Sequence, residues 1–166
     1  NINCGGGALS VWAGSTFLDG DIRITDNFSP TGGGLFAGFS SVMELNGVEV
    51  SENIAFAGGA LMVWMGGNSI VSRKSKFVRN MNPLHSHSGG AIMAVSATIQ
   101  LLDGTEILEN LAEAAGGGIW AEYVDLRAEG RVLIAQNLAA GSVGGGIGIY
   151  HGSSLVASSG LQVLNN

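Results

Sequence analysis

Proline, cysteine and positive charge are all scarce in this sequence: 2 Pro, 1 Cys and 7 Lys or Arg among 166 residues. The single Cys4 excludes an internal disulfide framework and cannot by itself supply a cysteine-based zinc site. With so little proline, and with glycine that does not recur at every third position, a collagen triple helix is excluded. Seven basic residues against 13 acidic ones leave a formal charge of −6, which counts against a nucleic-acid binder, since that function rests on neutralising phosphates. Charged residues make up only 12%, about half the usual ~25%. Low charge does not mean disorder here, because 46% of the chain is apolar and disordered segments are poor in apolar residues. No apolar run reaches the ~18 residues of a membrane-spanning helix, and no charged-then-apolar secretory leader opens the sequence. The residue in excess is glycine, 28 copies, more than twice the ordinary share of ~7%. The length suits one domain, residues 1–166.

The glycines belong to a repeat. A tetrad of two glycines, a small residue and an aliphatic one reads GGAL at 6–9, GGGL at 32–35, GGAL at 58–61, GGAI at 89–92, and GGGI at 116–119 and 144–147. Each tetrad is followed by a large apolar residue, two variable residues and an asparagine, at 24–27, 50–53, 77–80, 107–110, 134–137 and 163–166. With Asn1 added, the asparagines are Asn1, Asn27, Asn53, Asn80, Asn110, Asn137 and Asn166, separated by 26, 26, 27, 30, 27 and 29 residues. Six coils of this period occupy the chain.

Within a coil the apolar residues alternate, which is the signature of strands. The tetrad aliphatic and the residue two further on form the pairs Leu9/Val11, Leu35/Ala37, Leu61/Val63, Ile92/Ala94, Ile119/Ala121 and Ile147/Ile149, apolar throughout, as two successive core-facing positions must be. A second alternating segment precedes each asparagine. A third lies between, for example 41–45, 97–101 and 124–126, and in five coils it is followed by a turn glycine: Gly20, Gly47, Gly104, Gly130 or Gly160. No coil contains the 10–12-residue amphipathic stretch that a helical solenoid needs. The expected fold is all-β: a parallel β-helix (solenoid) of about six coils of 26–30 residues, three short strands per coil, roughly 29 Å long at ~4.8 Å per coil. Paired glycine permits a close backbone approach at a corner. The asparagine file stacks amide on amide, so that each hydrogen-bonds to its neighbour.

Tetrads of the GGA[ILV] type alternating with FxxN resemble the polymorphic outer membrane protein repeats of chlamydial autotransporters. GGAL, GGAI and the literal FVRN at 77–80 match that pattern; the other copies carry Gly for Ala, or Ile or Val for Phe. The resemblance spans the chain and rests on short, fold-bearing motifs. It implies a right-handed parallel β-helix displayed outside the cell, with a role in adhesion or surface structure, and it brings no catalytic residues with it. Both ends of the sequence fall on the repeat, so a segment of a longer solenoid is expected, the alternative being a domain capped by self-association.

Function is then sought on the outward columns. One residue beyond the tetrad aliphatic stand Ser10, Phe36, Met62, Met93, Trp120 and Gly148; three beyond stand Trp12, Gly38, Trp64, Val95, Glu122 and Tyr150. A partner-binding apolar face is expected from Trp12, Phe36, Met62, Trp64, Met93, Val95, Trp120 and Tyr150, since contiguous exposed apolar patches mark interaction surfaces. The partner would be a protein or a neighbouring domain of the same assembly, with a glycan as the alternative. Three functional readings follow: a non-enzymatic rigid adhesive module at the cell surface, a carbohydrate-active β-helix, or an internal spacer of a large extracellular filament or shell.

The polar residues point to structure first. Lys76 is expected between Glu49 and Glu106 on neighbouring coils, and Arg79 between Glu52 and Glu109, pairings that stabilise a sheet mildly. Arg73, Lys74, Lys76 and Arg79 lie near His85 and His87 and could instead form a basic patch for polyanionic glycans; two histidines without a third ligand do not make a metal site. Asp19, Asp21 and Asp26, with Arg23 among them, are the closest approach to a hydrolase carboxylate set, but Asp19 and Asp21 flank Gly20, where aspartate serves turn chemistry. No catalytic residue, metal or cofactor is expected. Asn27-Phe28-Ser29 is a glycosylation sequon whose asparagine belongs to the ladder and is therefore expected to be unmodified.

Overall fold

The computed structural model describes residues 5–84, 88–141 and 143–166. Asn1, Cys4, His85 and His87 lie outside them. The described residues form nineteen strands and no helix, and every strand pairing is parallel. The chain is therefore a parallel β-solenoid of about six coils.

The second coil shows the plan. A first strand, Leu35–Gly38, is followed by a long strand, Val42–Ser51, and then by Ile54–Ala55. In the third coil the long strand is broken into Asn68–Arg73 and Lys76–Val78, so the coil has the three expected strands. A fourth side, only two residues wide, comes directly after each ladder asparagine and forms a separate five-stranded sheet. The coils are in register on all four sides, with one shift between Asp19 and Ile22, where the first coil has two residues, Gly20 and Asp21, against Gly47 in the second. Leu9, Leu35, Leu61, Ile92, Ile119 and Ile147 stand in one column. Arg23, Glu49, Lys76, Glu106, Leu133 and Gln162 stand in another.

Corners need backbone conformations that strands do not supply. The residue before each asparagine is left-handed: Asp26 (φ 58°), Glu52 (58°), Arg79 (52°), Glu109 (55°) and Gln136 (57°). For a residue with a Cβ this conformation costs about 1–2 kcal/mol, so something must hold it. The next residue does. Asn80 Nδ2 donates to Asn110 Oδ1 at 3.0 Å and to Val50 O at 2.9 Å, while its Oδ1 accepts from the Asn53 backbone N at 3.1 Å and from Asn53 Nδ2 at 3.0 Å. The same pattern links Asn27 to Asn53, Asn110 to Asn137 and Asn137 to Asn166. The amides thus form a single polarised file down the rod, buried from Asn53 to Asn137.

The two tetrad glycines have different reasons to be glycine. Gly58 has φ 62°, and a Cβ there would sit 2.3 Å from Leu61 O. Gly59 lacks a positive φ, but its Cβ would lie 2.1 Å from the carbonyl oxygen of Gly90 in the next coil. One is required by its own turn, the other by the stacking of coils.

Inside, the core is a column of aliphatics with one ring: Leu35, Leu61, Ile92 and Ile119 face Met43, Leu45, Ile70, Phe77, Ile99 and Ile107, all buried. Ser75 and Thr105, which stand where other coils carry Val48 and Val132, are polar and satisfied. Ser75 Oγ accepts from Val48 N at 3.1 Å and donates to Arg73 O at 2.9 Å, and Thr105 Oγ1 donates to Ser72 O at 2.9 Å.

Candidate binding faces

The first outward column points away from the core, as alternation requires, but most of it is not exposed. Phe36 is 0% accessible, and Met62 and Met93 are also buried. Exposure was expected for all three; the structure corrects this. With Ala57 they make a second apolar cluster, against which Trp64, Val95 and Trp120 pack half-buried. The physical reason is the coil spacing: large side chains stacked at ~4.8 Å cover one another. Gly38 contributes by having no side chain. A Cβ there would meet Phe36 Cε1 at 2.7 Å, so the Phe36 ring lies down over its own strand, with the Trp12 ring 4.7 Å away at 32°.

What remains open on this side is a rim. Trp12 is 46% exposed and stacks on Phe39 at 5.2 Å. Toward the other end Trp120 and Tyr150, both half-buried, stand 5.5 Å apart.

A second apolar surface had no counterpart in the expectations. On the narrow fourth side Phe28, Ile54, Met81, Leu111 and Leu138 are in register, while the alternate residues Ser29, Ala55, Asn82 and Ala112 face inward and are buried. Phe28 is 62% and Leu138 56% exposed. The signal was present in the sequence: each of these residues immediately follows a ladder asparagine. This ridge meets the first face at the turn between them. Phe28 contacts Phe56 edge-on at 5.6 Å, and the adjacent Ala57 belongs to the Phe36–Met62 cluster.

The charged columns pair across coils. Lys76 Nζ lies 2.8 Å from Glu106 and aligns with Glu49 on its other side. Arg79 binds Glu52 at 2.6 Å and lies 3.8 Å from Glu109. The hydrogen bond and charge of Glu52 raise the Arg79 pKa above its ordinary value. Asp103 accepts from the Arg131 backbone N at 3.0 Å, and that bond, more than the Arg131 charge, lowers its pKa. Asp19 accepts from Asn46 Nδ2 at 2.6 Å beside the Gly20 turn. Asp26 sits at the following corner, five residues beyond Asp21 and roughly 16 Å along extended backbone, beyond the ~5–9.5 Å separation of glycosidase carboxylates.

Fold and surfaces together define a parallel β-helix repeat protein with an apolar flank that wraps two adjacent sides of the rod. Comparisons with protein-family models, curated proteins and solved structures returned no match.

Proposed function

We propose that the chain is a rigid, non-enzymatic rod, displayed at the cell surface or secreted, that binds a protein partner through its apolar flank. The observation that carries this reading is the continuity of the flank. The ridge of Phe28, Ile54, Met81, Leu111 and Leu138 runs in register along one side and joins, through Phe56 and Ala57, the cluster edged by Trp12, Trp64 and Trp120. A surface of this kind loses water-exposed apolar area when covered, at about 25 cal/mol per Å². Display outside the cell is supported by the resemblance of the repeats to those of outer-membrane autotransporters.

The reading is tested with two variants that leave the core intact, Phe28→Ser/Leu138→Ser on the ridge and Trp12→Ser/Trp64→Ser on the rim. Binding to cell surfaces or to other components of the parent assembly is measured beside the wild-type chain, with circular dichroism as the control for folding. Loss of binding in either folded variant supports the flank as the interface. Undiminished binding in both refutes it, as would cleavage of a polysaccharide by the wild-type chain.

A further inference from the structure

One corner of the rod carries a stack of large side chains with a gap in it. The fourth residue after the tetrad aliphatic is left-handed in every coil: Ala13, Phe39, Met65, Ser96, Tyr123 and His151. They follow the paired columns Trp12, Gly38, Trp64 and Val95, Glu122, Tyr150; the third and fourth coils pair up to Val63/Ala94 and again from Asn68/Ala97, and Gly67 of the third coil lines the surface beside Ser96. Phe39 stacks on Trp12, and Tyr123 stacks on His151 at 5.9 Å and 22°. Between Met65 and Tyr123 comes Ser96, which has no ring.

The gap spans two coil spacings, roughly 10 Å. A flat ring in contact with Tyr123 needs about 3.5–4 Å on each of its faces, so one ring fits. Here the surface opens into a groove of about 590 Å³ lined by Asn68, Ser69, Ser96, Thr98, Tyr123 and Asp125, with backbone from neighbouring small residues. Tyr123 is 59% exposed. Ser69, Thr98 and Asp125 are paired in register across three coils, which presents two hydroxyls and a carboxylate in a row beside the ring. Asp125 is steadied by Ser154, whose Oγ donates to Oδ1 at 2.6 Å. The buried Asn68 supports the floor and is itself satisfied: its Oδ1 accepts from Ser41 N and its Nδ2 donates to Trp64 O, both at 2.9 Å.

The chemistry of the lining selects the ligand. Among the described residues no Lys or Arg lines the groove, and the exposed Asp125 repels phosphate, sulfate and carboxylate groups. Hydroxyls along the wall do not suit an apolar peptide side chain, which would leave them unpaired. A ring with one apolar face and hydroxyls at its edge satisfies both the tyrosine and the row of polar groups. We infer that this groove is a binding site for a neutral glycan, with one pyranose ring stacked against Tyr123 and its hydroxyls bonded by Asp125, Thr98 and Ser69. The site lies away from the apolar ridge and does not depend on the protein-partner reading.

The test is an NMR titration of the isotope-labelled chain with neutral hexaoses of glucose, xylose, mannose and N-acetylglucosamine. At least one is expected to shift the amides of Ser69, Ser96, Thr98, Tyr123 and Asp125 and to leave those of Phe28 and Leu138 in place. Tyr123→Ala is expected to weaken that binding about tenfold or more, while Tyr123→Phe, which keeps the ring, retains most of it. Ser96→Tyr fills the gap at a position whose backbone matches that of Tyr123 (φ 53° and 54°), so it should fold normally and abolish binding. Three results would overturn the inference: no hexaose moves these amides at millimolar concentration, the shifts map elsewhere, or Ser96→Tyr binds as well as the wild-type chain.

Discussion

Replacing the central ladder residue, Asn80→Ala, removes four hydrogen bonds at one buried point. Two of the groups involved change little. Asn110 Oδ1 still accepts from the Asn80 backbone N at 2.8 Å, and Asn53 Nδ2 keeps Ile24 O and Ser51 O at 2.8 and 2.9 Å. The Asn53 backbone N–H, however, loses Asn80 Oδ1, its acceptor at 3.1 Å, in a residue that is itself 0% exposed. A buried N–H without a partner costs about 1–3 kcal/mol, and each lost amide–amide bond about 1 kcal/mol. The expected loss is therefore about 3–5 kcal/mol, a large part of a typical domain's 5–15 kcal/mol. Asn80→Asp should be at least as damaging at neutral pH, because its second oxygen would face Val50 O and Asn110 Oδ1, acceptor against acceptor, with a buried charge added. Urea unfolding measures the loss, read as a shift in midpoint at constant slope since solenoids can unfold by parts. Hydrogen exchange at the Asn53 amide reads it locally and should speed up well before the core amides do. If Asn80→Ala costs less than 1 kcal/mol, or Asn53 stays protected, the file does not hold the corner as argued.

Gly59→Ala should prevent folding or truncate the solenoid, because its Cβ would lie 2.1 Å from Gly90 O and backbone on both sides leaves it nowhere to go; a normal circular dichroism spectrum would contradict this. Gly38→Ala is a milder case, since the Cβ meets only the ring of Phe36 at 2.7 Å and that ring can tilt. A loss of about 1–3 kcal/mol and greater tryptophan exposure in quenching are expected, and unchanged quenching would count against the ring's position. Arg79→Met should shift the urea midpoint only slightly, because the Arg79 pairs are exposed, and the difference should shrink at high salt. The pKa of Asp103 is lowered in the folded chain, so its contribution is present above the ordinary aspartate value of ~3.9 and is lost as pH falls through the folded value. Asp103→Asn should therefore flatten the acid side of a urea-midpoint curve below the ordinary aspartate value; parallel curves for the two proteins would refute the assignment.

What the sequence determined by itself is everything that repeats along one dimension. In a solenoid each coil meets only its neighbours, so a constant spacing in the chain becomes a column in space. Asparagines 26–30 residues apart stand over one another, Lys76 lands between Glu49 and Glu106, and alternation assigns Leu35 inward and Phe36 outward. Direction, however, is not exposure. Whether Phe36 meets water depends on Trp12 in the preceding coil, on the missing side chain of Gly38 and on the turn carrying Ala57, none of which a strand pattern encodes. The ridge from Phe28 to Leu138 went unread for a different reason: a strand of two residues is too short to show alternation, and only its neighbours at ~4.8 Å make it a surface. The gap at Ser96 is of the same kind. A serine within a strand carries no signal until the coils are stacked and its small side chain leaves the face of Tyr123 in the next coil uncovered.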